Sequence, residues 1–272
     1  MDDVLSELLE VREKIDTVGF EDEDFLVDTE RALSFLDRYR KEIGLPFTCL
    51  VTPATLDLRQ IDFLARELRK ARCVSITIGL QSGSSRTAAL FRRPFNLDRI
   101  RKIARALTKE KIMITYDLII GNPFEEESDK EQTVKALLSL PHPFEVNVFF
   151  LSFFPGYLLT QKALEQGIPV DRSLDTRTVP REESHPEEVI IRLAQWPFLP
   201  RAALAYLYER RKGSGRWLIP LFGRILLPLV DNRWTSILRI GLVQPKMFIT
   251  SAGRWVAHLI RRNRPGPSPQ PK

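Results

Sequence analysis

The sequence predicts an α/β protein, in which a partial parallel (β/α) barrel is followed by a mostly helical C-terminal region. Short β-branched and apolar runs alternate with amphipathic helices five times, which is typical of a parallel sheet with right-handed crossovers. Each predicted strand ends on polar, Gly or Pro residues, as barrel strands do where they open onto a binding face. From residue 188 onward the chain is apolar and basic and contains all four tryptophans.

The elements follow from the spacing of apolar residues. Leu5, Leu8 and Leu9 are among the residues on one face of an N-terminal helix. Asp28 or Thr29 is expected to cap the second helix, and Asn96 is expected to cap the helix that reaches Leu107. The expected strands span residues 17–20, 46–51, 73–80, 112–120 and 146–152. The expected helices span residues 3–15, 29–43, 57–70 and 129–139, and a further helix follows Asn96 and reaches Leu107.

The stretch Tyr116–Glu125 is central to the predicted fold. It begins as a buried strand and ends on Gly121-Asn122-Pro123, which cannot continue a strand and lets a ligand approach bare backbone. Acidic residues follow, and Ser128 is expected to cap the next helix. A strand that opens into a Gly-Pro loop before a helix is where α/β folds bind ligands.

Charge divides the chain into two parts. Residues 210–272 contain 13 Lys or Arg and one acidic residue, for a net charge of +12, whereas the whole chain carries +6 and residues 1–209 therefore −6. An acidic barrel, 1–167, is expected to connect through a flexible connector or lid, 168–187, to a basic helical region, 188–262. The Pro-rich residues 263–272 are expected to be a disordered tail.

The two cysteines, Cys49 and Cys73, lie on predicted strands and are expected to be buried, reduced thiols. Two cysteines cannot form a metal site alone, and no metal ligand is predicted. No signal peptide opens the chain, so a cytoplasmic protein is expected.

Four motifs, in order on consecutive βα units, resemble the radical S-adenosylmethionine (radical SAM) enzymes. They are Ile78–Ser84 and Tyr116–Pro123, with Phe20–Phe25 before them and Phe153–Gly156 after them. The resemblance covers residues 1–167 and is nearest to the group that often carries an N-terminal cobalamin-binding domain. It implies a partial (β/α)6 barrel that binds S-adenosylmethionine (SAM). In the intact family a 4Fe-4S cluster donates an electron to SAM, and a 5′-deoxyadenosyl radical results.

One feature departs from the family pattern. The family holds its cluster on a Cys-x3-Cys-x2-Cys loop after the first strand, whereas the two cysteines here are 24 positions apart. Met1 falls where the family's chain has just entered its first helix. The expectation is a barrel without its first strand and cluster ligands, whose activity alone is doubtful. The resemblance further implies that the missing N-terminal half could be a separate partner chain, and that cobalamin would belong to a separate N-terminal domain.

The resemblance assigns the SAM site to strand ends. Gln81 and Ser82 are placed for the ribose hydroxyls, and the Gly121-Asn122-Pro123 turn can supply backbone groups and an apolar wall for adenine. The alternatives are loop capping for Gln81 and Ser82, and an ordinary turn for residues 121–123. No catalytic residue is predicted.

The SAM carboxylate needs a guanidinium. Arg86, Arg92 and Arg93 follow the Gln81 strand, and Arg93 is chosen. The alternative for any one of these arginines is a solvated surface charge.

Two functions remain open. The chain is either the SAM-binding portion of a radical SAM oxidoreductase or methyltransferase, or a non-catalytic barrel that serves as a binding or partner module. Either could attach to an anionic membrane surface through residues 210–262, at the inner face of the membrane. Nucleic acid is a less expected partner, because the basic residues are interleaved with Leu and Ile. The apolar run 217–230 has 14 residues and is broken by Arg224 and two prolines, so it is too short to span a bilayer.

Overall fold

The computed structural model describes residues 2–93, 95–170, 185–213 and 217–230. Its strands are β1 Val18–Phe20, β2 Phe47–Val51, β3 Cys73–Gln81, β4 Met113–Ile120 and β5 Phe144–Phe150. Its helices are α1 Asp2–Val11, α2 Thr29–Glu42, α3 Ile61–Lys70, α4 Ser85–Leu90, α5 Leu97–Lys109, α6 Glu127–Leu138, α7 Leu158–Glu165, α8 Pro186–Leu193, α9 Arg201–Glu209 and α10 Leu218–Val230.

All five strands belong to one parallel sheet, and their order in the sheet is their order in the chain, β1-β2-β3-β4-β5. This arrangement confirms the predicted α/β class and is the one that a (β/α) barrel uses. Because all five strands are parallel, their C-terminal ends lie along the same edge of the sheet. The mostly helical region that follows, α8 to α10, also agrees with the prediction.

The two faces of the sheet differ in polarity. One face carries residues such as Ile78, Tyr116 and Leu118, which are fully buried in a core shared with α3 and α5. Alternate residues on the same strands point to the other, open face and stay partly exposed. Strand register aligns Gly79 with Asp117, and Asp117 with Asn147, across this open face. Polar side chains near the middle of the sheet therefore face a space rather than the core.

Helix caps were predicted with mixed success. Asp28 Oδ1 accepts a hydrogen bond from the Arg31 N–H at 3.0 Å, and Asn96 Oδ1 accepts one from the Arg99 N–H at 2.9 Å, so both predicted caps are confirmed. The predicted Ser128 cap is wrong, because α6 already begins at Glu127. The cap is Glu126, whose backbone N–H donates to Asp129 Oδ2 at 2.8 Å.

Strand β5 begins two residues earlier than predicted, at Phe144. Phe144 is fully buried, and its ring lies 5.5 Å from that of Tyr116 on β4. The pairing of Phe144 with Ile114 therefore starts the strand, while the predicted strand end at Ser152 lies beyond its last residue, Phe150.

The first basic residues after α9 dock against the barrel. Arg211 Nη2 donates to Glu131 Oε1 at 2.7 Å and to Glu127 Oε2 at 3.2 Å, both on α6. Its guanidinium also lies 3.9 Å from the ring centre of Tyr208.

Among the described residues, no helix is long and apolar enough to cross a membrane. Residues 171–184, most of the predicted connector, and 231–272, which include the predicted tail, lie outside the described residues.

Candidate functional site

A pocket of about 490 Å³ lies at the C-terminal ends of β2 and β3, and Asp117 in the middle of β4 also lines it. Its walls combine apolar residues, such as Leu50 and Ile100, with polar ones. Strand ends on one edge of a parallel sheet are the usual position of a ligand site. The charged and amide side chains that line it are Glu23, Gln81, Arg93, Asn96, Arg99 and Asp117.

Gln81 reaches this pocket through an unusual backbone conformation. Its φ is +59°, and the register between β3 and β4 shifts between Gly79 and Gln81. A Cβ atom at Gly79 would lie 2.9 Å from Gln81 Nε2 and 3.9 Å from Arg93 Nη1. The missing side chain of Gly79 thus leaves the space in which the Gln81 amide and the Arg93 guanidinium come together.

Asp117 completes this group and was not among the predicted site residues. It lies beside Gly79 in the sheet, and its Oδ1 accepts a hydrogen bond from Asn147 Nδ2 at 2.9 Å. Burial raises the pKa of its carboxyl group, and the Asn147 hydrogen bond only partly opposes that effect. The signal for Asp117 was available in the sequence, because a charged residue between Tyr116 and Leu118 must point away from the face that those two bury.

Ser82, Gly83 and Ser84 form contacts inside the protein and do not line the pocket. The Ser82 and Thr133 hydroxyl oxygens lie 3.0 Å apart, and Thr133 Oγ1 accepts the Gly83 N–H at 2.9 Å. A Cβ atom at Gly83 would lie only 2.6 Å from Thr133 Cα, so α6 packs directly on bare backbone here. Ser84 caps α4 and donates to Asp129 Oδ1 at 2.6 Å. The segment 82–84 therefore joins the end of β3 to α6.

Asp129 is the centre of this junction. It is 1% exposed, and besides Ser84 it accepts hydrogen bonds from Arg86 Nε at 3.0 Å and from Arg86 Nη2. The hydrogen bond from Arg86 lowers the pKa of the Asp129 carboxyl to about 2. Glu125 lies on the other side of Ser82 at 3.4 Å, and burial raises the pKa of its carboxyl group.

The predicted turn Gly121-Asn122-Pro123 follows β4 directly but does not line the pocket. Gly121 has a φ of +68°, and a Cβ atom there would lie 3.1 Å from Phe150 Cδ1. Asn122 is 3% exposed, and its Oδ1 accepts the Phe124 N–H at 3.0 Å. Within the described part of the chain its buried Nδ2 has no hydrogen-bond partner. Pro123 is exposed.

Both cysteines are free and buried, as predicted, and both belong to the core. The hydrogen bond between the two thiols, together with burial, raises the pKa of Cys49 well above its usual value. Both are core residues, on β2 and β3, and neither lines the pocket. Among residues 2–93, 95–170, 185–213 and 217–230, no group of three or more His, Cys, Asp or Glu is arranged to hold a metal ion.

Comparison with known proteins finds a family model and two relatives that each match part of the chain. The family model described as the radical SAM superfamily matches residues 1–137, just over half of the chain. The chain is 34% identical over 100 residues to the tRNA-2-methylthio-N(6)-dimethylallyladenosine synthase of Oleidesulfovibrio alaskensis, and 34% over 107 residues to that of Helicobacter acinonychis. These alignments cover 36% and 38% of the chain but only 22% and 24% of the relatives.

A similar fold occurs in a solved structure. The radical SAM methyltransferase TsrM from Kitasatospora setae, with cobalamin and a 4Fe-4S cluster bound, matches with a TM-score of 0.53 and 15% sequence identity. The match covers 63% of this chain and 33% of TsrM. At this identity the likeness concerns the fold, and it agrees with the partial barrel described above.

Proposed function

The chain belongs to the radical SAM superfamily, and from this premise we propose that its pocket binds SAM as the SAM-binding portion of a radical SAM enzyme. The observation that carries the proposal is the convergence of Gln81, Arg93 and Asp117 around Gly79. A pocket of about 490 Å³ with apolar walls and a few polar groups has the size and character of a small-molecule site.

Each end of SAM has a matching group in this pocket. The Asp117 carboxylate can accept hydrogen bonds from ribose hydroxyls, and the Gln81 amide can donate to them or accept from them. The Arg93 guanidinium can bind the amino acid carboxylate through two parallel hydrogen bonds. Within the described part of the chain, the Arg93 side chain makes no hydrogen bond or ion pair. Glu23, on the pocket wall, carries the charge that suits the amino group.

The other predicted residues take different roles in this proposal. Gly121, Asn122 and Pro123 shape the turn after β4 and, because they do not line the pocket, make no ligand contact in this proposal. Ser82 supports the site through α6 and does not touch the ligand, because its hydroxyl already has partners on that helix.

The residues present do not fit a 4Fe-4S cluster. Such clusters are held by cysteine thiolates, whereas the two cysteines, Cys49 and Cys73, are buried core residues outside the pocket. We therefore derive no redox step from this chain. The proposal is that these 272 residues supply the SAM pocket and do not support cluster-dependent chemistry alone. The complete reaction, whether radical oxidoreductase or methyltransferase chemistry, would need cluster ligands from outside these residues. Cobalamin, which TsrM holds, is assigned to no residue here.

Ligand-observed NMR with the full chain tests the proposal, using SAM and 5′-methylthioadenosine, which has the same nucleoside but no amino acid end. Without a cluster we expect a weak Kd, on the order of 0.1–1 mM. Gln81→Ala and Asp117→Ala should weaken both ligands roughly three- to tenfold, the effect of one lost hydrogen bond. Arg93→Ala should weaken SAM about tenfold and leave 5′-methylthioadenosine unchanged.

Gln161→Ala is the matched control, because Gln161 is an exposed glutamine on α7 and does not line the pocket. It should bind both ligands like the wild type. Absence of SAM binding by the wild type at millimolar concentrations would overturn the proposal. So would binding that is indifferent to Gln81, Arg93 and Asp117.

A further inference from the structure

Helix α10 exposes an apolar face that the proposed SAM site does not explain. It packs on α8 through a side that includes Ile219, which is 1% exposed, and Gly223, which is buried. Large apolar side chains on its other side remain in contact with solvent. Trp217, immediately before α10, is 59% exposed, and Leu221 and Ile225 within the helix are 43% and 56% exposed. A helix with apolar residues on all sides normally has a partner on all sides.

The exposed residues form a continuous stripe. Trp217, Leu221 and Ile225 are spaced four residues apart, so they lie above one another on the same face. Phe222, 39% exposed, widens the stripe on one side. Contiguous exposed apolar surface of this kind, with polar residues at its border, marks interaction sites in proteins.

The stripe lies in a basic part of the sequence. Residues 210–230 contain five Lys or Arg and no acidic residue. Arg211 and Lys212 form ion pairs with Glu127 and Glu131 of α6, whereas Arg210 and Arg224 are exposed and make no ion pair to another described residue. Beyond α10, residues 231–272 add eight Lys or Arg and one acidic residue. A partner of this face must therefore be apolar inside and negatively charged at its border.

We propose that α10 docks on the surface of an anionic phospholipid bilayer, lying in the interface with Trp217, Leu221 and Ile225 inserted among the acyl chains. Trp with nearby Arg and Lys is the composition of interfacial segments, and each basic residue near an anionic membrane adds to the attraction. At 13 residues the helix is about 20 Å long, so it can lie on a bilayer but cannot span its core of about 30 Å.

The charge also argues against the other occupants. A second copy of the chain, docked by the same face, would place the basic borders of both copies together. A nucleic acid would satisfy the basic residues but leave the apolar stripe without a matching surface, because it binds mainly through phosphates.

Co-sedimentation of the full chain with vesicles tests the proposal. Vesicles of phosphatidylcholine with one quarter phosphatidylglycerol should pellet the protein at low salt, and vesicles of phosphatidylcholine alone should bind it much less. The double variant Leu221→Ser/Ile225→Ser should lower the partition coefficient about tenfold, because two partly inserted side chains are lost. The matched control is Phe63→Ser/Leu164→Ser, since Phe63 is 42% and Leu164 56% exposed on α3 and α7. The control should bind like the wild type.

Three outcomes would overturn the proposal. The wild type could remain in the supernatant with the anionic vesicles, which would mean that α10 is covered in solution. The two double variants could bind equally, which would place any lipid contact elsewhere. Light scattering could show a wild-type dimer that Leu221→Ser/Ile225→Ser converts to a monomer, which would make this face an interface between two copies. SAM binding by the pocket variants is measured separately, so failure here leaves the proposed SAM function unaffected.

Discussion

Replacing Asp129 by Asn should destabilise the fold in a pH-dependent way. The Asp129 carboxylate accepts hydrogen bonds from Ser84, Arg86 and the Glu126 backbone, and it is 1% exposed. Asn keeps the shape of the side chain but loses the charge, and its NH2 group would face donors rather than acceptors. The junction between α6 and the end of β3 should therefore weaken, although no atom is removed from the core.

The magnitude follows from the ionisation of Asp129. Its pKa falls from the usual 3.8 to about 2 in the folded protein. At 1.36 kcal/mol per pKa unit, this shift corresponds to about 2 kcal/mol of stability above pH 5. The Arg86 side chain is 47% exposed, so screening by water reduces the contribution to about 1–2 kcal/mol. Because the folded pKa is the lower one, the contribution is present above 3.8 and is lost as the pH falls towards 2.

Urea unfolding followed by circular dichroism, at pH 7 and pH 3, measures the effect. At pH 7 we expect Asp129→Asn to lower the free energy of unfolding by about 2–3 kcal/mol, which includes the misplaced amide donors. About half of the charge-dependent part should be lost at pH 3. Asp98→Asn is the control, because Asp98 is also in the first turn of a helix and pairs with an arginine, but its side chain is 89% exposed. A loss below about 0.5 kcal/mol at pH 7, or an equal loss at both pH values, would refute this reasoning.

Three further predictions concern the same framework. Gly83→Ala should destabilise the protein by roughly 2 kcal/mol, because the new Cβ would meet the α6 backbone. Gly79→Ala should leave urea unfolding nearly unchanged but weaken SAM binding, because its Cβ would displace the Gln81 side chain. Equal unfolding of the two variants would contradict this prediction. Anaerobic reconstitution of the chain should give far fewer than four iron atoms per chain, and a stoichiometric cluster would show that two thiols suffice. Among the described residues β1 pairs only with β2, so the other edge of β1 has no partner strand. Size-exclusion chromatography should therefore show concentration-dependent oligomers that form through this edge. A monomer at all concentrations would show that the edge is covered.

The sequence predicted the sheet well because its strands are short, apolar and separated by regular helices. The order of the strands and the caps at Asp28 and Asn96 needed only local patterns. The Ser128 cap failed because Arg86 and Ser84, more than forty residues away, make Asp129 the residue that organises the start of α6. Local capping rules contain no information about such distant partners.

The site was harder to predict for a related reason. The motif Gln81-Ser82-Gly83-Ser84 looks like one binding segment, but only Gln81 lines the pocket. Its other members are explained by packing against α6, so their presence would be expected even in a protein that binds no ligand. The left-handed backbone conformation of Gln81 turns its side chain into the pocket, whereas residues 82–84 pack on α6. The sequence does not predict this conformation, because glutamine rarely adopts it.

At Asp117 the contribution to folding stability can be distinguished from the contribution to ligand binding, because the charge of its carboxylate does not stabilise the fold. Burial raises its pKa, which means that the folded protein binds the Asp117 proton more tightly than the unfolded chain does. Its ionisation therefore lowers stability as the pH rises above the usual value near 4. Asp117→Asn keeps an acceptor for Asn147 and removes the charge, so at pH 7 it should raise the free energy of unfolding by a few tenths to about 1 kcal/mol.

At pH 3 the gain from Asp117→Asn should disappear, since both states of the wild type then hold the proton. Asp98→Asn provides the control, because its carboxylate is exposed and paired. The same Asp117→Asn variant should bind SAM and 5′-methylthioadenosine more weakly, because a neutral amide is a poorer partner for two ribose hydroxyls than a carboxylate is. A variant that is both more stable and less able to bind would show that this carboxylate serves a ligand. A variant that loses stability at pH 7 would show instead that Asp117 belongs to the structural framework, as Asp129 does.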